Sequence, residues 1–219
     1  MQKARWTPST AIHPAGSISS PRMERTDPGR IVAFSDGVMA VAITLLVLNI
    51  DVPDLPSGGE DELADKLFDL LPSLAAYALA FALVGRYWVI HHRLFEHLRA
   101  FDGTLMTLNL VFLALIVLIP FSAELFDRYN EEPIAAAVFG ATLGSAALVN
   151  GFMIRHVLRK RFLHERDWGL PEPFGGAVTF SLTILFFLSV PGAFLSPVVA
   201  EVLWVSTIVV RYPLRWLAR

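Results

Sequence analysis

Residues 30–50 read RIVAFSDGVMAVAITLLVLNI, with Arg30, Ser35 and Asp36 crowded into the first two turns of an otherwise apolar run. About twenty such residues cross the hydrocarbon core of a bilayer as a helix. An ionised carboxylate at the centre of a membrane helix costs about 2.5–3.5 kcal/mol even on the lenient insertion scales. The stretch therefore predicts a first membrane helix whose polar entry finds partners in protein rather than in lipid.

The rest of the chain supports a membrane setting. Of 219 residues, 54% are hydrophobic and only 17% charged, against roughly 25% charge in soluble domains. The apolar residues fall in blocks of membrane length. Five further spans follow the first, over residues 72–90, 104–123, 133–154, 174–195 and 197–217, the last shortened by Glu201 and Arg211. Short segments of alternating polarity, the mark of a membrane β-barrel, do not occur. The fold class expected is an all-α integral membrane protein with six transmembrane helices.

Charge fixes the expected orientation. With six spans and the N-terminus inside, sixteen of the eighteen basic residues fall on the cytoplasmic side, and only Lys66 and Arg128 outside. An odd number of spans would spoil this positive-inside pattern, so both termini are expected in the cytoplasm. Residues 1–28, rich in Pro, Ser and Thr, read as a disordered cytoplasmic tail, and residues 29–219 as the transmembrane domain. The linker after the first span is acidic, and its second half reads as an amphipathic helical lead-in. Such acids either keep outer loops solvated or form a negative vestibule that concentrates cations.

Chemistry-bearing motifs are few. The chain has no cysteine, which removes disulfides, thiolate catalysis and Cys-based zinc sites. It contains neither GxSxG nor a P-loop. In YWVIHHRLFEHLR, residues 87–99, His91, His92 and His97 lack the i, i+4 histidine pair of a zinc helix. Adjacent histidines point about 100° apart on a helix, so at most one of His91 and His92 faces the bundle interior. A hydrogen-bonding role is expected there, and no metal. Asn109 and Asn150 lie within spans and need partners. Gly140 and Gly144 form a GxxxG pair that reads as close helix packing.

On the first span, Arg30, Phe34, Gly37, Val41, Thr44 and Leu48 recur at spacings of four and three and make one stripe. Asp36 and Ala40 lie on a neighbouring face. Two readings stand: the stripe lines an axis, or it is an ordinary bundle seam with Thr44 bonded back to its own helix. Spacing alone leans to the seam.

RIVAFSDGVMAVAITLLVL resembles the RxxxFSD signature on the first helix of the transmembrane-protein-175 family of potassium channels, in its bacterial single-repeat branch. YWVIHHRLF at the end of span two and LNLVFLALIVLIPF in span three extend the resemblance, and the TVGYG filter of other potassium channels is absent here as in that family. The resemblance implies a homotetramer without enzymatic activity, cofactor or nucleic-acid partner. It would sit in the cell membrane and pass potassium and other monovalent cations. The first helix of each subunit would line the pore, with Val41, Thr44 and Leu48 as an apolar constriction that acts as gate and filter. Arg30, Phe34, Ser35 and Asp36 would match the polar signature and form a structural network with His92 and Asn109. The alternative is a proton-coupled or other secondary transporter using Asp36 and His92 as a relay.

Overall fold

A computed structural model describes residues 28–54, 60–164 and 176–209. Seven α-helices run through them: α1 (Pro28–Leu45), α2 (Glu60–Asp69), α3 (Leu71–Glu96), α4 (Gly103–Arg128), α5 (Pro133–Lys160), α6 (Gly176–Leu195) and α7 (Pro197–Val209). A single 3-10 turn, Leu46–Asn49, continues α1. No strand occurs among the described residues, only an isolated bridge between Leu98 and Leu163. Residues 1–27 and 210–219, which hold nearly all of the expected tail and the basic end of the sixth span, lie outside the described residues.

Four helices are long and apolar enough to cross a membrane: α1 with its 3-10 turn, α3, α4 and α5. The apolar parts of α6 and α7 are shorter, Phe180–Leu195 and Pro197–Ile208. Each of the six expected spans thus coincides, over its described residues, with an apolar helix, and four of these are of membrane length. The second and fourth extend beyond their expected ends, to Glu96 and Lys160, because Arg93, Arg155 and Arg159 carry the helices past the apolar core. The acidic lead-in is α2, with Leu63 and Leu67 one turn apart on its exposed surface.

Packing follows from side-chain size. Helix α5 is wedged between α4 and α6, with α7 closing on α6, while α1 lies on α3 and α4. A Cβ at Gly140 would run into the Ser189 hydroxyl, and one at Gly144 would sit 3.3 Å from Phe186 and the Phe187 ring. The GxxxG pair thus lets α6 approach the α5 backbone. Beside it, Trp204 donates from Nε1 to Ser189 Oγ at 2.8 Å and meets Phe126 and Phe139 edge-on. Tyr87 on α3 donates its hydroxyl to the Leu143 carbonyl of α5 at 2.6 Å.

The expected cytoplasmic end is stitched by its two connections. The Arg99 amide donates to the Phe162 carbonyl at 2.8 Å and the His164 amide to the His97 carbonyl at 3.3 Å. Asp102 caps α4, accepting from the Leu105 amide at 2.9 Å, and also meets His156 Nε2 at 3.0 Å. Partial burial pulls the Asp102 carboxyl upward in pKa. The Leu105 amide, the His156 hydrogen bond and the nearby charges of His156 and Lys160 outweigh it and hold the group below the ordinary carboxylate range.

Candidate functional site

Helix α1 has two unlike faces. Ile31, Ser35, Met39, Ala42 and Leu46 are buried against α3 and α4. Their spacings of four, four, three and four keep them on one side of a helix. Arg30, Phe34, Gly37, Val41, Thr44 and Leu48 are all exposed on the subunit surface. Phe34 is 56% exposed, Val41 58% and Leu48 71%. The stripe that spacing alone left open between an axis and a seam is no seam within the subunit. Ala33 and Ala40 are exposed as well, so the unpartnered surface is broader than one stripe and includes the face beside it. The Thr44 hydroxyl donates to the Val41 carbonyl at 2.8 Å, which uses its proton and leaves the oxygen's lone pairs outward.

The polar entry of α1 is held by two groups of partners. Inside, Asn109 Nδ2 donates to Ser35 Oγ at 3.0 Å and Asn109 Oδ1 lies 2.7 Å from His91 Nε2. Ser35 and His91 are fully buried and Asn109 nearly so. Because Asn109 Oδ1 is an acceptor, the facing His91 nitrogen carries the proton, an assignment made from the bond. The ring of His91 is stacked on Phe95 at 4.2 Å and on Phe112 at 5.4 Å. Nearer the surface, Trp88 Nε1 donates to Asp36 Oδ1 at 2.9 Å, and His92 Nδ1 lies 3.4 Å from Asp36 Oδ2. The Asp36 side chain is 32% exposed and the Trp88 ring stacks on His92.

Several sequence expectations are redistributed by this geometry. His92 reaches Asp36, but the histidine that reaches Asn109 is its neighbour His91. Phe34 is not among the polar contacts; it stands on the exposed face, and Arg30 is exposed at the head of that face. Trp88, one turn before His92, went unread because an indole at a membrane-helix end is common with or without a partner. Asn150 is buried, and neither of its amide atoms has a hydrogen-bond partner among the described residues. Arg86 on α3 donates to the Thr207 carbonyl near the end of α7. A guanidinium there answers carbonyls that the helix itself leaves without donors. Among the described residues, no group of three or more His, Asp or Glu side chains is placed to hold a metal ion.

Comparisons with known proteins agree with one another. Residues 30–120 match the family model described as endosomal/lysosomal potassium channel TMEM175. A potassium channel of Streptomyces collinus is 35% identical over 175 residues, covering 78% of this chain and 84% of that one. A potassium channel of Chamaesiphon minutus is 37% identical over 61% of this chain and 67% of its own. Human TMEM175, named an endosomal/lysosomal proton channel, is 34% identical over 56% of this chain but only 26% of its own length. Among solved structures, the lysosomal potassium-selective channel TMEM175 homolog from Chamaesiphon minutus superposes with a TM-score of 0.70 at 30% identity, covering 84% of this chain and 95% of that one. With more than four-fifths of a curated relative covered, and the family model matched from residue 30 onward, the chain belongs to the TMEM175 family of membrane-spanning ion channels, a family of channels and not of enzymes.

Proposed function

We propose that this protein is a potassium-permeable cation channel of the cell membrane. Four copies surround an axis, each contributing α1, and both termini lie in the cytoplasm. The observation that carries the reading is the two-faced α1: one face is sealed by α3 and α4, and the other presents Phe34, Gly37, Val41, Thr44 and Leu48 with no partner in the subunit. Cyclic symmetry turns one exposed residue per subunit into a ring. Rings of Val41 and Leu48 offer water no hydrogen bonds, and a narrow ring of that kind blocks ions by emptying. Thr44, its proton spent on Val41, turns an acceptor oxygen towards a cation that has shed part of its hydration shell. The contacts of Ser35 and Asp36 fix the azimuth of α1 and need not touch the ion. No cofactor enters the scheme.

Purified protein in planar bilayers tests it. Single-channel currents under bi-ionic potassium and sodium, with a reversal potential favouring potassium modestly, are expected. Gradient-driven flux that saturates and stays locked to proton movement would instead support a carrier. That second reading has one observation of its own, the 3.4 Å approach of His92 to Asp36, beside vertebrate relatives that are named proton channels. Under it, Asp36→Asn and Asp36→Ala both abolish proton coupling while assembly survives.

A further inference from the structure

The outer end of α1 is built unlike the rest of it. From Leu46 to Asn49 the helix tightens to a 3-10 turn, and the Ile50 amide closes on the Val47 carbonyl at 3.2 Å, three residues back. Such turns have poorer hydrogen-bond geometry than an α-helix, and the sequence LVLN contains neither Gly nor Pro to force one. A tertiary contact accompanies it. Asn49, the one polar side chain of the turn, donates from Nδ2 to the Pro120 carbonyl of α4 at 2.9 Å. Pro120 lies inside α4 and is buried; lacking an N–H, it deprives the Ile116 carbonyl of its usual donor. At the same level the Ser122 hydroxyl serves the Ile119 carbonyl. Asn49 thus adds a side-chain donor from the end of α1 to a carbonyl in the same stretch of α4.

The tight turn changes which way the end of α1 faces. An α-helix rotates about 100° per residue and a 3-10 helix about 120°. Counted from Leu45, Leu46 is therefore displaced by only about 20°, whereas Leu48 accumulates about 60°. Leu46 is fully buried and acts as the pivot, while Val47 and Leu48 are exposed. In a continuous α-helix Leu48 would fall within about 20° of Val41, on the common stripe. In the 3-10 form it swings off that line, and Val47 moves towards it from the other side.

Resting on the channel reading above, we propose that Asn49 is a positioning residue for the outer constriction. Its hydrogen bond to the Pro120 carbonyl holds Leu48 off the Val41–Thr44 line. Release of that bond lets the turn relax to α and brings four Leu48 side chains onto the line, narrowing the path.

The protein has no cysteine, so single cysteines report accessibility in otherwise unaltered channels. Val47→Cys and Leu48→Cys are both expected to react with a methanethiosulfonate reagent applied from the outer side. Asn49→Leu, and Asn49→Asp, which keeps shape but lacks the donor, should each lower open probability about fivefold or more, about fivefold being the shift that a single lost hydrogen bond carries. Asn49→Gln, with the donor kept, should lose less. Adding Leu48→Ala to Asn49→Leu should restore the current, which a merely damaged fold would not allow. Unchanged open probability in both donor-less variants, or a loss that Leu48→Ala leaves in place, overturns the inference. If the Asn49 variants do not assemble, the accessibility pattern decides: modification of Leu48→Cys without Val47→Cys means a continuous α-helix and overturns it too. Failure of the underlying reading looks different, with Val41→Cys and Thr44→Cys themselves inert and the current indifferent to both.

Discussion

Helices α1 and α5 are both apolar membrane helices, and they have opposite fates. The most apolar stretch of α1, with a mean hydropathy of 2.3, is 28% buried; that of α5, at 1.6, is 67% buried. The greasier helix is the one left bare. Hydropathy reports the cost of contact with water, and lipid relieves that cost as well as protein does, so it says little about which helix is central. What buries α5 is smallness: Ala136, Gly140, Gly144 and Ala147 let α4 and α6 close on its backbone. What leaves α1 half bare is that its Gly37, Val41, Thr44 and Leu48 stay exposed on the subunit surface.

The largest effect should come from filling the α5 seam. Gly140→Leu collides with Ser189 and the Trp204 ring edge, and overpacking of this kind costs about 1–3 kcal/mol or more. Loss of folded, assembled protein in size-exclusion chromatography is expected. Gly37→Ala on α1 meets no atom within 4 Å in the subunit, and its subunit stability should hold or rise by up to about 1 kcal/mol from helix propensity. Equal tolerance at both glycines would erase the contrast between the helices.

Next in size is the point where the buried face of α1 is pinned. Asn109→Leu strands Ser35 and His91 without partners, at about 1–3 kcal/mol for each group left unsatisfied. Thermal melts in detergent should show that loss. Asp36→Ala should cost less, and Asp36→Asn less again, because the amide oxygen still accepts from Trp88 and the group is partly exposed. A larger loss at Asp36 than at Asn109 would move the anchor of α1 to its surface pair.

On the bare face, stability should barely change and current should. Leu48→Asn keeps the outer ring wet and should raise conductance about two- to threefold, while Thr44→Val should lower it and Thr44→Ala erode potassium preference. Ala40→Ser, exposed but off the stripe, is expected to do much less. An Ala40 effect equal to those of Thr44 would widen the conducting face beyond the stripe.

The smallest effect concerns the stitched end of α4 and α5. Because the Asp102 carboxyl titrates below its ordinary value in the folded protein, its contribution is complete above the usual carboxylate pKa. That contribution is lost as pH falls through the depressed folded value. Wild type should therefore melt above Asp102→Asn at pH 7, and the gap should close on acidification below about pH 4. A gap that persists in acid would assign the difference to packing rather than charge.

Sequence alone determined a good deal. Block length and composition announced a helical membrane protein, since only closed helices or barrels satisfy the backbone in lipid. RIVAFSDGV carried the family, and the spacing of Phe34, Gly37, Val41, Thr44 and Leu48 carried a stripe. Tertiary structure decided that the stripe lies outside the subunit's own core, and which neighbours meet. His91 belongs to the stripe of Ala80, Val84, Tyr87, Leu94 and Leu98, all buried. In a helix apolar all round, no polar face marks that register, so His91 and His92 are not distinguishable until α3 meets α4. Asn49 has no local signature at all, because its partner is a carbonyl 71 residues away on α4. A sequence writes the period of its own helix; where that helix is turned, and where it tightens, is set by the neighbours that bury it.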